Sequence, residues 1–115
     1  MPRTLVNLDN GAVISCTMEE ARAFWVRMRG LLGRTEFPSG SALLIADCSS
    51  IHMFFMKFPI DVLFVDDRLR VLRIVPDLPV WRWASCPRAC STVELPAGTA
   101  GRLGIQVGHR LEIRE

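Results

Sequence analysis

Residues 51–66 read IHMFFMKFPIDVLFVD, and three of them can carry chemistry: His52, Met56 and Asp61. An imidazole with a carboxylate close behind is the material of a general base, because a carboxylate that accepts the ring N–H fixes the tautomer and raises basicity. An imidazole with a thioether is the material of a site for a soft ion such as Cu(I). Both readings ask for more than the string supplies. A base needs a nucleophile or a held water, and Cys48, Ser49 and Ser50, next to His52, belong to no nucleophile motif. A soft-metal site needs more than one His–Met pair. A core face of aromatic and methionine side chains, with a hydrogen-bonded histidine at its edge, produces the same string with neither demand. His52 and Asp61 therefore mark a place where a small polar site can be set into a core, and no residue is assigned a catalytic role.

Other residues weigh in beside them. Glu94 stands before Leu95, Pro96 and Gly98 at a strand-to-helix junction, where a carboxylate caps the following turn or pairs with an arginine near 29–34, such as Arg34, before any ligand need be invoked. Trp81, Arg82 and Trp83 form an aromatic–cation–aromatic triplet that can stack on a sugar ring or a base. A half-buried strand also alternates in that way, so packing is the expected role of at least one tryptophan, and exposure of both would reverse that reading. The glycine-rich AGTAGRLG lacks the residue order of a phosphate loop. Cys16, Cys48, Cys86 and Cys90 include a CPRAC pair, whose three intervening residues and lack of a second close Cys/His pair do not match a zinc knuckle or a thioredoxin-like motif. No metal or cofactor is expected.

Composition bounds the class. The 115 residues are 50% hydrophobic and 23% charged, enough for one real core and unlike a disordered chain. No apolar run approaches the roughly 18 residues of a membrane-spanning helix. A net charge of +2 is too small to favour nucleic acid as a partner, since such binding rests on clustered neutralisation of phosphates. The opening MPRTLVNLDNGAVISC has no apolar stretch of the signal-peptide kind, so a cytoplasmic, reducing location is the expectation, with the cysteines as thiols.

The elements that must hold these residues follow from periodicity. TLVNL (4–8) and AVISC (12–16) read as strands around an Asn-Gly turn. From Thr17 the period changes. Thr17 with Glu20 makes a capping box, and Ala21, Phe24, Trp25, Met28 and Leu32 recur at helical spacing, predicting an amphipathic helix over about 17–30. It should stop at Gly30 or Gly33, with Arg27, Arg29 and Arg34 opposing the negative end of its dipole. ALLIAD, IHMFFMKF, IDVLFVD, LRVLRIV, ACSTVEL and RLEIRE read as strands, PDLPVWRWASCP as a proline-rich connection, and about 97–103 as a short helical turn after Pro96. If 51–58 is a strand, His52, Phe54, Met56 and Phe58 share one face and Met53, Phe55 and Lys57 the other. The expected class is α+β, mainly β: one domain over 1–115, with an antiparallel, partly closed barrel-like sheet, which would remove exposed edges.

Three separated motifs in order, RGLLGR at 29–34, IHMFFMKFPIDVLFVD at 51–66 and ELPAGTAGRLGI at 94–105, resemble the bacterial and archaeal family known as domain of unknown function 192. The resemblance implies a compact, mainly β, barrel-like domain with a helix packed on it, and no assigned chemistry. Its matching positions include Arg29, Gly30, Arg34, His52, Met56, Pro59, Asp61, Glu94, Pro96 and Gly98. His109 departs from it, standing where such domains commonly place an aspartate after the glycine.

The sequence thus points to a non-enzymatic binding module for a small ligand or a protein partner, with His52, Met56, Asp61, Glu94 and Arg34 as ligand-binding candidates. The alternatives are a hydrolase-like enzyme using His52 with Asp61 as general base, and a soft-metal protein using His52 and Met56. Convergence of these side chains in an open pocket beside a nucleophile or a water-holding site separates the first two, and loss of a bound ion on His52→Ala marks the third.

Overall fold

The computed structural model describes residues 3–21, 36–53 and 56–115. Nine strands and a short helix follow in order: β1 (Arg3–Asn7), β2 (Val13–Ala21), β3 (Leu43–Ala46), β4 (Ser50–His52), β5 (Ile60–Val65), β6 (Val71–Leu78), β7 (Trp83–Ser85), β8 (Ser91–Pro96), α1 (Thr99–Arg102) and β9 (Leu111–Arg114). Seven strands form one sheet in the order β6-β5-β8-β3-β2-β1-β9, and β4 pairs with β7 as a separate ribbon. The edge strands of the large sheet meet where Arg70 bridges Arg110, with the Val71 N–H donating to the His109 carbonyl at 2.9 Å. The sheet is a curled half-barrel.

The expected β1–β2 hairpin is present, antiparallel, around a turn in which Gly11 takes φ +76°. The sheet is mixed rather than wholly antiparallel, because β2 runs parallel to β3, pairing Glu19, Glu20 and Ala21 with Leu43, Leu44 and Ile45. That pairing also corrects the start of the helix expected over 17–30. Residues 17–21 are the second half of β2, and the remainder, with the proposed stop at Gly30 or Gly33 and the arginines at 27, 29 and 34, lies outside the described residues. Thr17 and Glu20 form no capping box: Thr17 Oγ1 donates to the Gly40 carbonyl at 3.4 Å, and Glu20 pairs with Arg3 at 2.8 Å. Tertiary pairing overrides local propensity here, since the main chain of β2 is the partner that β3 requires, as in the 3.0 Å bond from the Glu19 N–H to the Ala42 carbonyl.

The middle of the sheet is buried on both faces. Leu63, Val65, Val93 and Leu95 join Leu5, Met18 and Leu111 in the barrel interior. Ile60, Val62, Phe64, Leu43 and Ile45 face the other way into a second core with Ile51, Met53, Met56 and Ala84. Every residue of β5 is buried, so its sequence is apolar at every position but Asp61 instead of alternating.

Two further boundaries differ from expectation. The strand beginning at Ser50 ends at His52, and Met56 donates its N–H to the Met53 carbonyl at 3.2 Å. Residues 51–58 are therefore no single strand, and Met53 and Met56 enter the same core instead of opposite faces. The proline-rich connection contains the end of β6 and the whole of β7. The C-terminal helical turn and final strand stand as expected.

Candidate functional site

Asp61 is fully buried, at 0% exposure, and alternates on β5 with Ile60 and Val62, so its carboxylate points into the barrel. Both oxygens accept backbone donors: Oδ1 takes the Asp77 N–H and Oδ2 the Ala100 N–H, each at 2.8 Å. The first bond holds a bulge in β6, where Asp77 adopts φ +50° opposite the irregular register between Ile60 and Val62. The second satisfies an orphan donor in the first turn of α1, whose own cap residue, Gly98, has no side chain to offer. Asp61 is thus a clamp between β5, β6 and α1.

Glu94 faces the other way. It lies opposite Val62 on β5 and Leu43 on β3, while Asp61 lies opposite Leu95, so the two carboxylates project from opposite faces of the sheet. Glu94 is buried, within the face that packs under the β4–β7 ribbon. Thr92, on the same face, donates its hydroxyl to the Cys48 carbonyl at 2.8 Å and ties the β3–β4 loop to β8.

His52 ends β4, opposite Trp83 of β7. Its neighbour Ile51 and the opposite Ala84 turn inward to the second core, which leaves His52 and Trp83 on the other side of the ribbon, Trp83 exposed and His52 half-buried with its Nδ1 shielded from solvent. The structure therefore does not bring the four described candidates together. Asp61 is in the barrel, Glu94 under the ribbon, His52 on the ribbon's other side and Met56 in the core between; Arg34 lies outside the described residues. Among the described residues no three His, Cys, Asp or Glu side chains gather closely enough to hold a metal ion, and none of the four cysteines forms a disulfide.

Trp81 and Trp83 are both exposed, at 56% and 66%, and Arg82 between them is exposed as well. The condition that reverses the packing reading is met. Trp81 sits in the turn before β7, outside any strand alternation, with φ +65°.

Sequence reasoning missed what His109 does at the seam of the barrel. Its Nδ1 accepts the Gln106 N–H at 3.2 Å and the side-chain amide of Asn7 at 2.9 Å. The amide orientation is fixed because Asn7 Oδ1 already accepts the Asp9 N–H at 2.9 Å. Nearby, Asp66 accepts the N–H groups of Arg70 and Arg68 at 2.9 and 2.8 Å. The Arg70 N–H, then the Arg68 N–H and the two guanidinium charges, hold its carboxyl below the usual carboxylate range against a smaller opposing effect of burial.

Comparison with known proteins places this architecture. The model of the DUF192 family, described as "Uncharacterized ACR", matches residues 5–113. The chain belongs to the DUF192 family. A UPF0127 protein of Thermococcus sibiricus is 29% identical over 114 residues, covering 94% of this chain and 73% of that protein. The crystal structure of a Novosphingobium aromaticivorans protein of unknown function superposes with a TM-score of 0.80 at 25% identity, over 97% of this chain and 84% of the other. A second crystal structure, of a Sinorhizobium meliloti protein described as a "putative transcription regulator", has a TM-score of 0.84 at 24% identity, over 96% and 91% of the two chains, a likeness of fold alone. Asp61 has a clear place within this DUF192 chain: it joins the motif around 51–66 to the motif around 94–105 through Ala100. At position 109, the departure from the expected aspartate, the imidazole Nδ1 collects two donors as a carboxylate oxygen would. No helix among the described residues is long and apolar enough to cross a membrane.

Proposed function

We propose that this DUF192 protein is a non-enzymatic binding module that takes a small ligand or a protein partner on the side of the sheet carrying the β4–β7 ribbon, where the half-buried His52 stands. The observation that carries this reading is the double commitment of Asp61. The Asp61 carboxylate is turned into the barrel and held there by two backbone N–H groups, whereas His52 belongs to the ribbon packed on the opposite face of the sheet, so the two do not form the His–Asp couple that the general-base reading requires. The core position of Met56, in the same cluster as Met53, likewise gives it a packing role and weakens the soft-metal alternative.

Native mass spectrometry of the chain purified from its own host without chelator, beside a His52→Ala variant, tests the proposal. A retained small-molecule or protein mass, lost from the variant, supports it. Turnover of simple ester, amide or phosphoester substrates by the wild-type chain, abolished in His52→Ala, overturns it in favour of the enzyme reading.

A further inference from the structure

The turn that leads into β7 places a tryptophan where the backbone favours glycine. Residues 79–82 close with the Arg82 N–H donating to the Pro79 carbonyl at 3.3 Å, and the third residue of that turn, Trp81, has φ +65°. A turn with positive φ at its third position is built for glycine or asparagine, and a bulky side chain there is a genuine outlier held under strain. The surroundings impose it. The Trp81 N–H donates to the Met53 carbonyl at 3.0 Å and the Met53 N–H to the Arg82 carbonyl at 2.7 Å, so the main chain on both sides of the turn is fixed against the end of β4.

The strain secures no burial, since 56% of Trp81 stays exposed, as does 66% of Trp83. Burial is the usual return on a tryptophan, and two exposed indoles within three residues on a pre-organised turn are the mark of a surface that stacks on something flat. Charge narrows what that is. The stretch 79–90, PVWRWASCPRAC, contains Arg82 and Arg88 and no acidic residue, and Arg73 of β6 reaches over to donate to the Ser85 carbonyl at 2.6 Å. His52, opposite Trp83, adds no negative charge. The exposed Asp77 and Asp47 lie outside this stretch, and within the turn itself Arg82 is the charged side chain, so the partner that complements it carries an anionic group beside apolar flat faces.

We propose that Trp81 and Trp83, with Arg82 between them, bind an acidic oligosaccharide, a chain of sugar rings carrying carboxylate groups. The C–H faces of pyranose rings lie on the electron-rich indole faces, and a carboxylate meets the Arg82 guanidinium in the bidentate geometry that arginine offers. A single-stranded nucleic acid is the less suitable occupant, because its binding needs a row of cations along successive phosphates, and this turn places one guanidinium between its two stacking faces. The proposal rests on the binding-module reading and gives it a ligand class.

Isothermal titration of the full chain with tetragalacturonate, maltotetraose and an eight-nucleotide oligo(dT) tests it, together with the variants Trp81→Gly, Trp83→Ala and Arg82→Ala. Tetragalacturonate should bind, and Trp81→Gly and Trp83→Ala should each weaken it about tenfold or more. Arg82→Ala should erase the preference over neutral maltotetraose. Trp81→Gly relieves the strained φ, so its melting temperature should equal or exceed that of the wild type, which separates loss of binding from loss of fold. Heat with oligo(dT) alone would replace the saccharide by nucleic acid. No binding of any probe, or tetragalacturonate binding indifferent to both tryptophan variants, overturns the proposal. A host-derived mass that His52→Ala removes would still uphold the binding module in that event, so the two readings fail separately.

Discussion

Asp61 and Ala100, 39 positions apart in the chain, are joined by a 2.8 Å hydrogen bond from the Ala100 N–H to a carboxylate oxygen inside the barrel. With its other oxygen on the Asp77 N–H, Asp61 supplies what neither α1 nor the bulge of β6 provides for itself. Removing the carboxylate leaves two donors without their acceptor in or beside the core, and hydrogen bonds to a charged group contribute about 1.5–3 kcal/mol each. Asp61→Ala is expected to lower unfolding free energy by about 3–5 kcal/mol, and Asp61→Asn, which keeps one acceptor, by about half that. Urea denaturation checks both. A catalytic Asp61 would behave otherwise, losing activity in Asp61→Asn while stability held.

The two faces of β5 give a second expectation. Leu63 points into the barrel and Phe64 into the core beneath the ribbon, and both are 0% exposed. In a sheet with one wet face, only one of two consecutive positions is sensitive to truncation. Here Leu63→Ala should cost about 2–5 kcal/mol and Phe64→Ala about 3–5 kcal/mol, because each leaves a cavity in a packed layer. Equilibrium unfolding that found either substitution neutral would show that one face is not packed.

That double burial also explains how far the sequence could be read. Strands with a wet face or a marked turn, such as β1, β9 and the hairpin around Asp66, announce themselves through alternation and turn residues. The second half of β2 did not, because Thr17 and Glu20 carry the spacing of a capping box while Met18 faces the barrel core and Ala21 the other, so residues 17–21 show no alternation of one wet and one buried face. The site was less legible still. Adjacent positions of paired strands send Asp61 and Glu94 to opposite faces, a fact of register that no spacing within one motif reveals. The tryptophans were visible in the sequence, yet their exposure depends on the bond between Trp81 and Met53, a contact between separate segments.

His109 offers a test by replacement. Its Nδ1 serves as acceptor for Gln106 and Asn7, so the feature the position requires is a lone pair at that point and not an imidazole as such. His109→Asp should leave the melting temperature nearly unchanged, whereas His109→Phe, with similar ring shape and no acceptor, should cost about 1–3 kcal/mol through the buried Asn7 amide. Equal losses in the two variants would mean that ring packing, not the acceptor, is what the seam needs.

The turn from β5 to β6 gives the pH expectation. The Arg70 N–H, with the Arg68 N–H and the charges of both arginines, holds the Asp66 carboxyl below its usual range, so the folded chain binds its proton less readily than the unfolded chain does. Stability from this group is therefore fully present above the unfolded value of about 3.9 and is lost as pH falls through the lower folded value. Asp66→Asn cannot take part in that titration. The difference in unfolding free energy between wild type and Asp66→Asn should be constant from pH 7 down to about pH 5 and shrink steadily below about pH 4. Urea titrations at each pH measure it, and a difference that grew toward acid would reverse the sign and place the stabilised form of Asp66 as the protonated one.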